Sequence, residues 1–432
     1  MNILLVNPPN CGRSIPEERY GIDSLKQIFK GEPLALEELA GNLKQYEVRI
    51  VDLKADPEGL DRELADFKPD ITGITGVTCE ANTMLQLAGK VKRQCLSLVV
   101  VGGIHASNDP GFFNHESVDF IVLGLGKKVF ADLVTILKSS PGADFFLPGV
   151  IRTNPGKKLK VVPHSNCSTD LVEGTSPAYE LVSSYRSHYT LEKLNVEMGF
   201  VASAYGCPYR CSFCCIKGQS GGKYLTKSID DVVRDVRCLG EIPVIRLVDA
   251  NTFGDVERAK LLCRALVEAG VKKQYLADIR SDTVVQHPEM VREWKEAGLR
   301  ALIIGFEEIS DTNLSAMNKA NRASVNTEAI AILNEIGITI VGDFIISPDY
   351  DENDFQRLGD YLGNNHIDLP MITVMTPLPG TVLYKEKKSE IINHNLDYYT
   401  LTNAVTRTKL DEEQFYAHYA ELLERSHSNA RI

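Results

Sequence analysis

Three cysteines within one short stretch are the feature of this sequence with the clearest chemical meaning. Cys207, Cys211 and Cys214 follow the spacing Cys-x3-Cys-x2-Cys, so a single loop can direct three thiolates at one centre. A structural zinc site takes four closed ligands, usually from two separated pairs, and no second pair follows at a suitable distance. Electron-transfer iron–sulfur clusters also normally take four cysteines. Three cysteines therefore predict a polynuclear iron–sulfur centre with one iron open to an outside ligand.

The other seven cysteines are interpreted as reduced thiols that pack as small hydrophobic groups. Cys215 adjoins the third ligand, but its side chain leaves the backbone in a different direction from that of Cys214, so we expect a neighbour and not a ligand. The chain begins at Met1 without a basic leader or a small-residue cleavage site, which predicts a cytoplasmic protein. The seven are Cys11, Cys79, Cys95, Cys167, Cys215, Cys238 and Cys263.

The loop Cys207-x3-Cys211-x-Phe213-Cys214 resembles that of the radical S-adenosylmethionine (SAM) superfamily. In that superfamily three cysteines hold a 4Fe–4S cluster, and the open iron is chelated by the amino and carboxylate groups of SAM. An aromatic residue before the third cysteine, here Phe213, is typical of the pattern. The resemblance implies that Cys207, Cys211 and Cys214 are the cluster ligands and the catalytic centre, that Phe213 contacts SAM, and that a reductant such as flavodoxin or ferredoxin supplies electrons.

The elements that must position this loop are readable from hydrophobic periodicity. Six apolar strand-like runs alternate with helical patterns, which predicts parallel βα units that curl into an open, partial (β/α)6 barrel. Catalytic groups of such barrels lie at the carboxyl ends of the strands, and Cys207 follows the first run. The runs are 198–204, 244–248, 275–279, 301–306, 338–346 and 371–375.

Polar residues at the ends of the other predicted strands are candidates for binding SAM. A guanidinium pairs with a carboxylate, and a carboxylate takes an amino group or a ribose hydroxyl. Similar enzymes place an acidic residue after strand two, a basic residue after strand three and a Gly-x-Glu at strand four, here Gly305-Phe306-Glu307. The resemblance therefore implies SAM contacts from Asp249, Arg280 and Glu307. Asn251, Glu308 and Ser347 also end predicted strands and are candidates for the same rim of polar groups. For each of these residues the alternative is an ordinary polar residue of a solvated loop.

The first 138 residues carry a second βα pattern, which predicts a doubly wound, Rossmann-like sheet. The sequence argues against dinucleotide binding, because residues 7–12, which follow the first predicted strand, lack the Gly-x-Gly-x-x-Gly fingerprint. The loops after strands three to five are small and glycine-rich, so a large flat ligand can lie across the strand ends. The predicted strands are 3–6, 48–51, 71–74, 98–101 and 120–122.

This region resembles the cobalamin-binding domain that precedes many radical SAM domains. Cobalamin domains that ligate cobalt with histidine carry Asp-x-His-x-x-Gly after strand one, where this chain has Asn7, Pro9 and Gly12. Because proline has no lone pair to give a metal, we expect cobalamin to bind without a histidine ligand, and we expect His105 to contact the corrin edge. The resemblance implies cobalamin contacts from Pro9, Thr75, Val77, Thr78, Gly102, Gly103, His105, Gly124 and Gly126.

Together these patterns predict four segments. In the second, residues 150–153 and 159–162 predict a hairpin that turns at Asn154-Pro155-Gly156. In the fourth, Asp411 to Glu424 predicts a helix that packs one apolar face on the barrel. The segments are a cobalamin-binding domain (1–138), a linker with a hairpin (139–190), a radical SAM barrel (191–385) and a small helical C-terminal region (386–432).

Composition excludes two classes of partner. The sum of 47 Lys+Arg and 58 Asp+Glu is a net charge of −11, which leaves no basic field to hold a nucleic acid. Apolar runs stop far short of the roughly 20 residues that a transmembrane helix needs. The expected partners are therefore a small-molecule or lipid substrate and a reductant, with no nucleic acid and no transmembrane segment.

Several stretches of the second half resemble hopanoid C-3 methylases and related class B type methylases. This resemblance implies a cobalamin-dependent radical SAM C-methyltransferase, with a polycyclic lipid such as a hopanoid as substrate. One alternative is an oxidative cyclase of the anaerobic magnesium-protoporphyrin ester cyclase type, without methyl transfer, and another is a non-catalytic cobalamin or cluster-binding module. The stretches are Ile304–Ile309, Gly342–Asp349, Thr376–Thr381 and Arg407–Leu410.

Overall fold

The computed structural model describes residues 1–22, 30–162, 164–191 and 196–428. Its N-terminal part is a six-stranded sheet of order β2-β1-β3-β4-β5-β6, in which the first five strands are parallel and β6 is antiparallel to β5. The strands are β1 (Asn2–Asn7), β2 (Glu47–Asp52), β3 (Ile71–Thr75), β4 (Leu98–Gly102), β5 (Phe120–Val122) and β6 (Val150–Arg152). The helices are α1 (Ile15–Tyr20), α2 (Leu34–Gly41), α3 (Gly59–Asp66), α4 (Ala81–Gln94), α5 (Ile104–Asn108) and α6 (Lys127–Ser139).

Both faces of this sheet are buried, as the continuous apolar strands require. Successive side chains of a strand point to opposite faces, so Ile3 and Leu5 enter one hydrophobic core and Leu4 and Val6 enter the other. Helices α2 and α6 cover the first face, and α3 and α4 cover the second. The first core is continuous with that of the barrel, so the two sheets share buried surface.

The second sheet is an open barrel of order β15-β14-β13-β12-β11-β8, with six parallel strands and the short β7 antiparallel at the β8 edge. A two-stranded ribbon, β9 and β10, follows β8. The strands are β7 (Thr190–Leu191), β8 (Val196–Val201), β9 (Ala204–Gly206), β10 (Tyr224–Thr226), β11 (Val244–Leu247), β12 (Gln274–Ile279), β13 (Leu299–Glu307), β14 (Thr339–Ile346) and β15 (Leu369–Val374).

The barrel helices lie between these strands, and the C-terminal helix α16 packs on α14 and β15. Ser228 caps α8, because its hydroxyl accepts a hydrogen bond from the backbone N–H of Asp231. The helices are α7 (Ile216–Ser220), α8 (Ile229–Cys238), α9 (Val256–Glu268), α10 (Ser281–Gln286), α11 (Pro288–Glu296), α12 (Asp311–Ala316), α13 (Ala323–Ile336), α14 (Glu352–Asn364), α15 (Val382–Lys387) and α16 (Glu412–Ser428).

The predicted fold class is confirmed, with a doubly wound sheet followed by a partial six-stranded barrel and a C-terminal helix. The first strand of the predicted hairpin and its turn at Asn154-Pro155-Gly156 are present, but the predicted pairing is wrong. Val150–Arg152 pairs with the open edge of β5, and residues 159–162, which the structure describes, form no strand. A strand edge carries unpaired backbone groups, and β5 is long enough to take this partner. The four segment boundaries stay predictions.

Every helix in the described ranges is too short or too polar to span a lipid bilayer.

Candidate active site

The loop that carries the three cysteines leaves the ribbon at Gly206. Gly206 has φ of +80°, and a Cβ added there would lie 2.0 Å from the carbonyl oxygen of Lys223. No side chain fits that space, so glycine is required directly before Cys207. The loop, residues 207–214, is called the Cys loop below. All three of its cysteines are half-buried.

The Cys loop is anchored from the far side of the barrel. Ser212 N–H donates to the carbonyl of Met317 at 2.9 Å, and the carbonyl of Ser212 accepts from Leu383 N–H at 3.0 Å. Met317 follows α12 and Leu383 lies in α15, so the chain after strands four and six of the barrel holds a loop that leaves strand one. The loop is therefore held in place by elements that are distant in sequence.

Burial raises the pKa of two thiols of the Cys loop. It raises the pKa of Cys214 to about 12 and also raises that of Cys211, although Lys319 and Arg280 oppose the rise at Cys211. Iron binds thiolates, so loading a cluster must release protons from these thiols. No three His, Cys, Asp or Glu side chains of the described part are placed to hold a single metal ion. A polynuclear cluster makes a different demand, because its cysteines bind different iron atoms and stand further apart.

Arg280, predicted to bind SAM, is buried against the Cys loop. Its guanidinium lies 3.6 Å from the ring centroid of Tyr209, a residue of that loop. Its Nε and Nη2 donate to the carboxylate of Asp282 at 2.9 and 2.8 Å, and Nη2 also donates to the carbonyls of Lys319 and Ala320. Arg280 thus links the end of strand three of the barrel both to the Cys loop and to the segment after α12.

Glu307, the acid of the Gly-x-Glu, forms a buried ion pair. Lys319 Nζ donates to Glu307 Oε1 at 2.6 Å. Glu307 has a positive φ of 64°, at a shift in the β13–β14 register. A Cβ on Gly305 would lie 2.3 Å from Glu307 Oε1, so the glycine of the motif makes room for the acid. Lys319 was missed from the sequence because it lies in a helix-to-helix loop and not at a strand end.

Asp249 is buried, and both of its carboxylate oxygens accept hydrogen bonds from neighbouring residues of the chain. Its Oδ1 accepts from the backbone N–H groups of Ser203 and Ala204 at 2.7 and 2.8 Å, and its Oδ2 accepts from the hydroxyl of Ser203 at 2.6 Å. This carboxylate therefore ties the end of strand two to the segment that leads into the Cys loop. The predicted SAM contact of Asp249 stays a prediction, as does that of Phe213, which is half-buried in the Cys loop.

The barrel also holds a set of charges that sequence reasoning missed. Arg246 contacts the carboxylate of Asp278 on the neighbouring strand. Burial raises the pKa of Asp343 well above its ordinary value, and Glu307 and Asp278 add to the rise. The signal was available, because each of these residues interrupts an otherwise apolar strand. Asp343 therefore keeps its proton to a higher pH than an exposed carboxyl does.

In the N-terminal part, five of the predicted cobalamin residues line one narrow cleft. Its floor is largely glycine, and Gly103, Gly124 and Gly126 have φ of +93°, +79° and +77°. A Cβ on Gly103 would lie 2.5 Å from the hydroxyl oxygen of Thr75. This space, the glycine cleft, has a volume of about 70 Å³, so it admits only part of a large ligand, which would lie close to backbone. The five predicted residues are Thr75, Gly102, Gly103, Gly124 and Gly126, and Leu36, Leu39 and Phe130 form apolar walls.

The other four predicted cobalamin residues do not line the glycine cleft. His105 is buried and packs edge-on against Phe112 and Phe113, and its Nδ1 lies 3.3 Å from the hydroxyl of Thr78. Burial lowers the pKa of His105 to about 4, so its ring is neutral. Pro9 is half-buried and Val77 is exposed. Their cobalamin contacts stay predictions.

One short helix reaches both sites. Helix α7 begins two residues after Cys214, and its Gln219 lines the glycine cleft. The side chain of Asn108, at the end of α5, donates to the carbonyl of Cys215 at 3.1 Å. The glycine cleft and the Cys loop are therefore neighbours in the folded chain.

A larger cavity of about 620 Å³ adjoins the Cys loop at Ser212. It lies at the carboxyl ends of strands four to six of the barrel, and none of the three cysteines lines it. Apolar groups such as Met375, Pro377 and Leu383 share its walls with charged ones such as Arg407. Glu308, also in the wall, accepts from Tyr350 and is held by Asn313 at 3.0 Å.

Two family models match the chain in the places that the geometry singles out. The model of the radical SAM superfamily matches residues 201–362, which contain the Cys loop. The model of the B12 binding domain matches residues 27–134, which contain the glycine cleft. The chain therefore carries the two domains that characterise the cobalamin-dependent radical SAM family. The cofactors of this family are a 4Fe–4S cluster, SAM and cobalamin.

Curated relatives and solved structures agree with this family. The hopanoid C-3 methylase of Methylococcus capsulatus is 26% identical over 90% of this chain and 75% of the methylase. The anaerobic magnesium-protoporphyrin IX monomethyl ester cyclase of Cereibacter sphaeroides is 24% identical over 82% of this chain and 58% of the cyclase. Methylases and methyltransferases outnumber cyclases among the relatives compared.

Two solved structures establish the fold. The TM-score is 0.74 to the cobalamin-dependent SAM radical enzyme OxsB, at 16% identity over 97% of this chain, and this chain spans 65% of OxsB, just under two thirds. The TM-score is 0.70 to the radical SAM methyltransferase TsrM from Kitasatospora setae, at 17% identity over 98% of this chain and 88% of TsrM. OxsB was solved with aqua-cobalamin and SAM, and TsrM with cobalamin and a 4Fe–4S cluster.

Proposed function

We propose that this radical SAM enzyme transfers a methyl group to an unactivated carbon of a polycyclic lipid such as a hopanoid. The observation that carries the proposal is the shared helix α7, which begins just after Cys214 and contributes Gln219 to the glycine cleft. Methylation at an unactivated carbon needs a radical source and a methyl source beside one substrate. Adjacent sites for two cofactors support such a reaction.

In this proposal Cys207, Cys211 and Cys214 hold the cluster, and the glycine cleft holds cobalamin. The bound cofactors supply a 5′-deoxyadenosyl radical that takes hydrogen from carbon, and a methyl group that replaces it. No acid or base in the chain can perform that hydrogen abstraction, so the tasks of the protein are to position the reactants and to exclude water.

The residues around the Cys loop suit the binding of SAM. Arg280 and Lys319 bring positive charge beside the loop, where a methionine carboxylate is expected. Glu307 is held by Lys319, and we assign it to the amino group or a ribose hydroxyl of SAM. Phe213 and Asp249 are the other two residues of the proposed SAM site. Asp249 also fixes the backbone that leads into the Cys loop, because it accepts from the N–H groups of Ser203 and Ala204.

The proposal extends to partners and to the compartment. The cavity of about 620 Å³ beside the Cys loop is the proposed entry for the substrate, because its apolar wall residues can contact a hydrocarbon ring. A flavodoxin or ferredoxin is the proposed electron donor. All ten cysteines lie in the described part and none is in a disulfide, which supports a reducing compartment such as the cytoplasm.

The test is an anaerobic turnover assay with the reconstituted chain, a reductant, a polycyclic lipid and SAM that carries a deuterated methyl group. The expected result is a lipid product that carries the deuterated methyl, with S-adenosylhomocysteine and 5′-deoxyadenosine in equal amounts. 5′-Deoxyadenosine with an oxidised, unmethylated product would contradict the proposal and support the cyclase alternative. SAM cleavage that survives replacement of Cys207, Cys211 and Cys214 by Ala would overturn both enzyme interpretations.

A further inference from the structure

A buried group of polar side chains lies between the N-terminal sheet and the barrel. Lys127 Nζ donates to Glu38 Oε1 at 2.8 Å, and the Tyr205 hydroxyl donates to the same oxygen. Lys127 Nζ also contacts the Tyr205 hydroxyl and lies 4.2 Å from the centroid of its ring. Lys227 lies 3.7 Å from Glu38 Oε1 and pairs with Asp235. These five residues are called the junction cluster.

The members of the junction cluster come from both parts of the chain. Glu38 lies on α2 and Lys127 begins α6, whereas Tyr205 lies on β9 and Lys227 follows β10. Lys127 pairs with Glu38, and Lys227 and Arg234 both pair with Asp235. Burial alone would raise the pKa of Glu38, but Lys127 and Lys227 outweigh it and hold the pKa below its ordinary value. Burial in turn lowers the pKa of Lys127, and Glu38 opposes that fall. The polar atoms of the cluster bond to one another.

Each key member lies next to one of the two cofactor sites. Lys127 directly follows Gly126, and Glu38 directly precedes Leu39, and both of these neighbours line the glycine cleft. Tyr205 is separated from Cys207 only by Gly206, whose backbone allows no side chain. The hydrogen bonds to one oxygen of Glu38 thus connect the wall of the glycine cleft to the start of the Cys loop.

Buried ion pairs add little to stability compared with well-packed apolar side chains, because desolvation offsets their attraction. Their directional bonds do exclude alternative arrangements of the groups that they join. Each close ion pair lies within one part, Lys127 with Glu38 and Lys227 with Asp235, so a sliding movement between the two parts would break the hydrogen bonds of Tyr205 and the contact of Lys227 with Glu38. Such a group is suited to fixing one relative position.

We propose that the junction cluster is a positioning device that sets the glycine cleft in register with the Cys loop. Lys127, Glu38 and Tyr205 are positioning residues, since they act through the backbone of Gly126 and Cys207. The inference rests on the proposed function, because the distance between the two sites matters only if both cofactors serve one substrate.

The first test measures coupling without turnover. Hydroxocobalamin is added to the full chain, and amide hydrogen exchange is followed by mass spectrometry in peptides of the glycine cleft and of residues 204–215. We expect exchange to slow in both regions of the wild type. In Tyr205→Phe, which removes one hydroxyl, we expect protection of the cleft to remain and that of residues 204–215 to fall below about half of the wild-type value.

The second test measures the partition of products. We expect Tyr205→Phe and Lys127→Met to raise the ratio of 5′-deoxyadenosine to S-adenosylhomocysteine on the order of tenfold, because radical formation is no longer matched to methyl transfer. The matched control is Lys128→Met, which removes an exposed lysine of the same helix that pairs with Asp132. The control should keep the wild-type ratio and protection.

The outcomes separate this inference from the proposed function. If the wild type forms no S-adenosylhomocysteine, the proposed methyl transfer is contradicted. The hydrogen-exchange experiment still decides in that case whether the junction cluster couples the two sites. Full protection of residues 204–215 in Tyr205→Phe, or a wild-type product ratio in both variants, would overturn the positioning role. Loss of cobalamin binding itself in Tyr205→Phe would also overturn it, since the cluster would then only support the fold.

Discussion

Replacement of Asp249 separates two roles that this carboxylate can have. A residue that only contacts SAM would affect SAM affinity and leave stability unchanged. The structure instead shows two backbone N–H groups and one hydroxyl, from Ser203 and Ala204, bonded to its oxygens at 2.6 to 2.8 Å. We therefore expect substitutions of Asp249 to destabilise the barrel and to loosen the segment that leads into the Cys loop.

The magnitude follows from the number and charge of these hydrogen bonds. A hydrogen bond to a charged group contributes about 1.5–3 kcal/mol and a neutral one about 1 kcal/mol. In Asp249→Asn the two backbone bonds can persist to a neutral oxygen, so the expected loss is about 2 kcal/mol. In Asp249→Ala three buried donors lose their acceptor at about 1–3 kcal/mol each, a total of about 5 kcal/mol.

The assay is thermal unfolding of the chain without cofactors, followed by circular dichroism, with SAM affinity measured separately after reconstitution. At about 2–4 °C per kcal/mol for a domain of this size, Asp249→Asn should lower Tm by about 4–8 °C. The control is Asp255→Asn, because Asp255 is exposed and caps α9, where Asn serves equally well. An unchanged Tm in Asp249→Asn, together with lost SAM affinity, would refute the reasoning.

Three further predictions concern single side chains. Gly206→Ala should abolish the iron–sulfur absorbance of the reconstituted chain, because its Cβ collides with backbone, whereas Gly142→Ala, with open space around it, should retain the cluster. Cys214→Ala should lose the cluster and Cys215→Ala should keep it; iron content measures both, and the reverse result would contradict the ligand set. Because the pKa of His105 is lowered to about 4, the unfolded chain binds a proton at this residue more readily than the folded chain does. The free energy of unfolding should therefore fall by up to about 3 kcal/mol as pH falls from about 6.5 toward 4. Denaturation across that range should show a shallower pH slope for His105→Gln than for the wild type, and equal slopes would count against a neutral buried ring.

Much of the fold was predictable because it is recorded in short-range patterns. Strands buried on both faces read as continuous apolar runs, so the five parallel strands of the N-terminal sheet and the six of the barrel were all found. The spacing of Cys207, Cys211 and Cys214 places them on one loop whatever the rest of the chain does. Five of the predicted residues, at the ends of β3, β4 and β5, line a single cleft, because parallel strands end at the same edge of a sheet.

Pairings between distant residues were decided only by the tertiary structure. The partner of β6 is β5 and not residues 159–162, because the open edge of a sheet was the available acceptor. Lys319 reaches Glu307, and Tyr205 reaches Glu38 across 167 positions of sequence, through bonds that no local periodicity records. The sequence predicts that Asp249, at a strand end, binds a ligand, yet in the fold its oxygens accept from the backbone N–H groups of Ser203 and Ala204 and from the hydroxyl of Ser203. The sequence by itself determined which cofactor-binding motifs the chain carries. The tertiary structure decided which side chains support those motifs, since hydrogen bonds and ion pairs depend on distance in space.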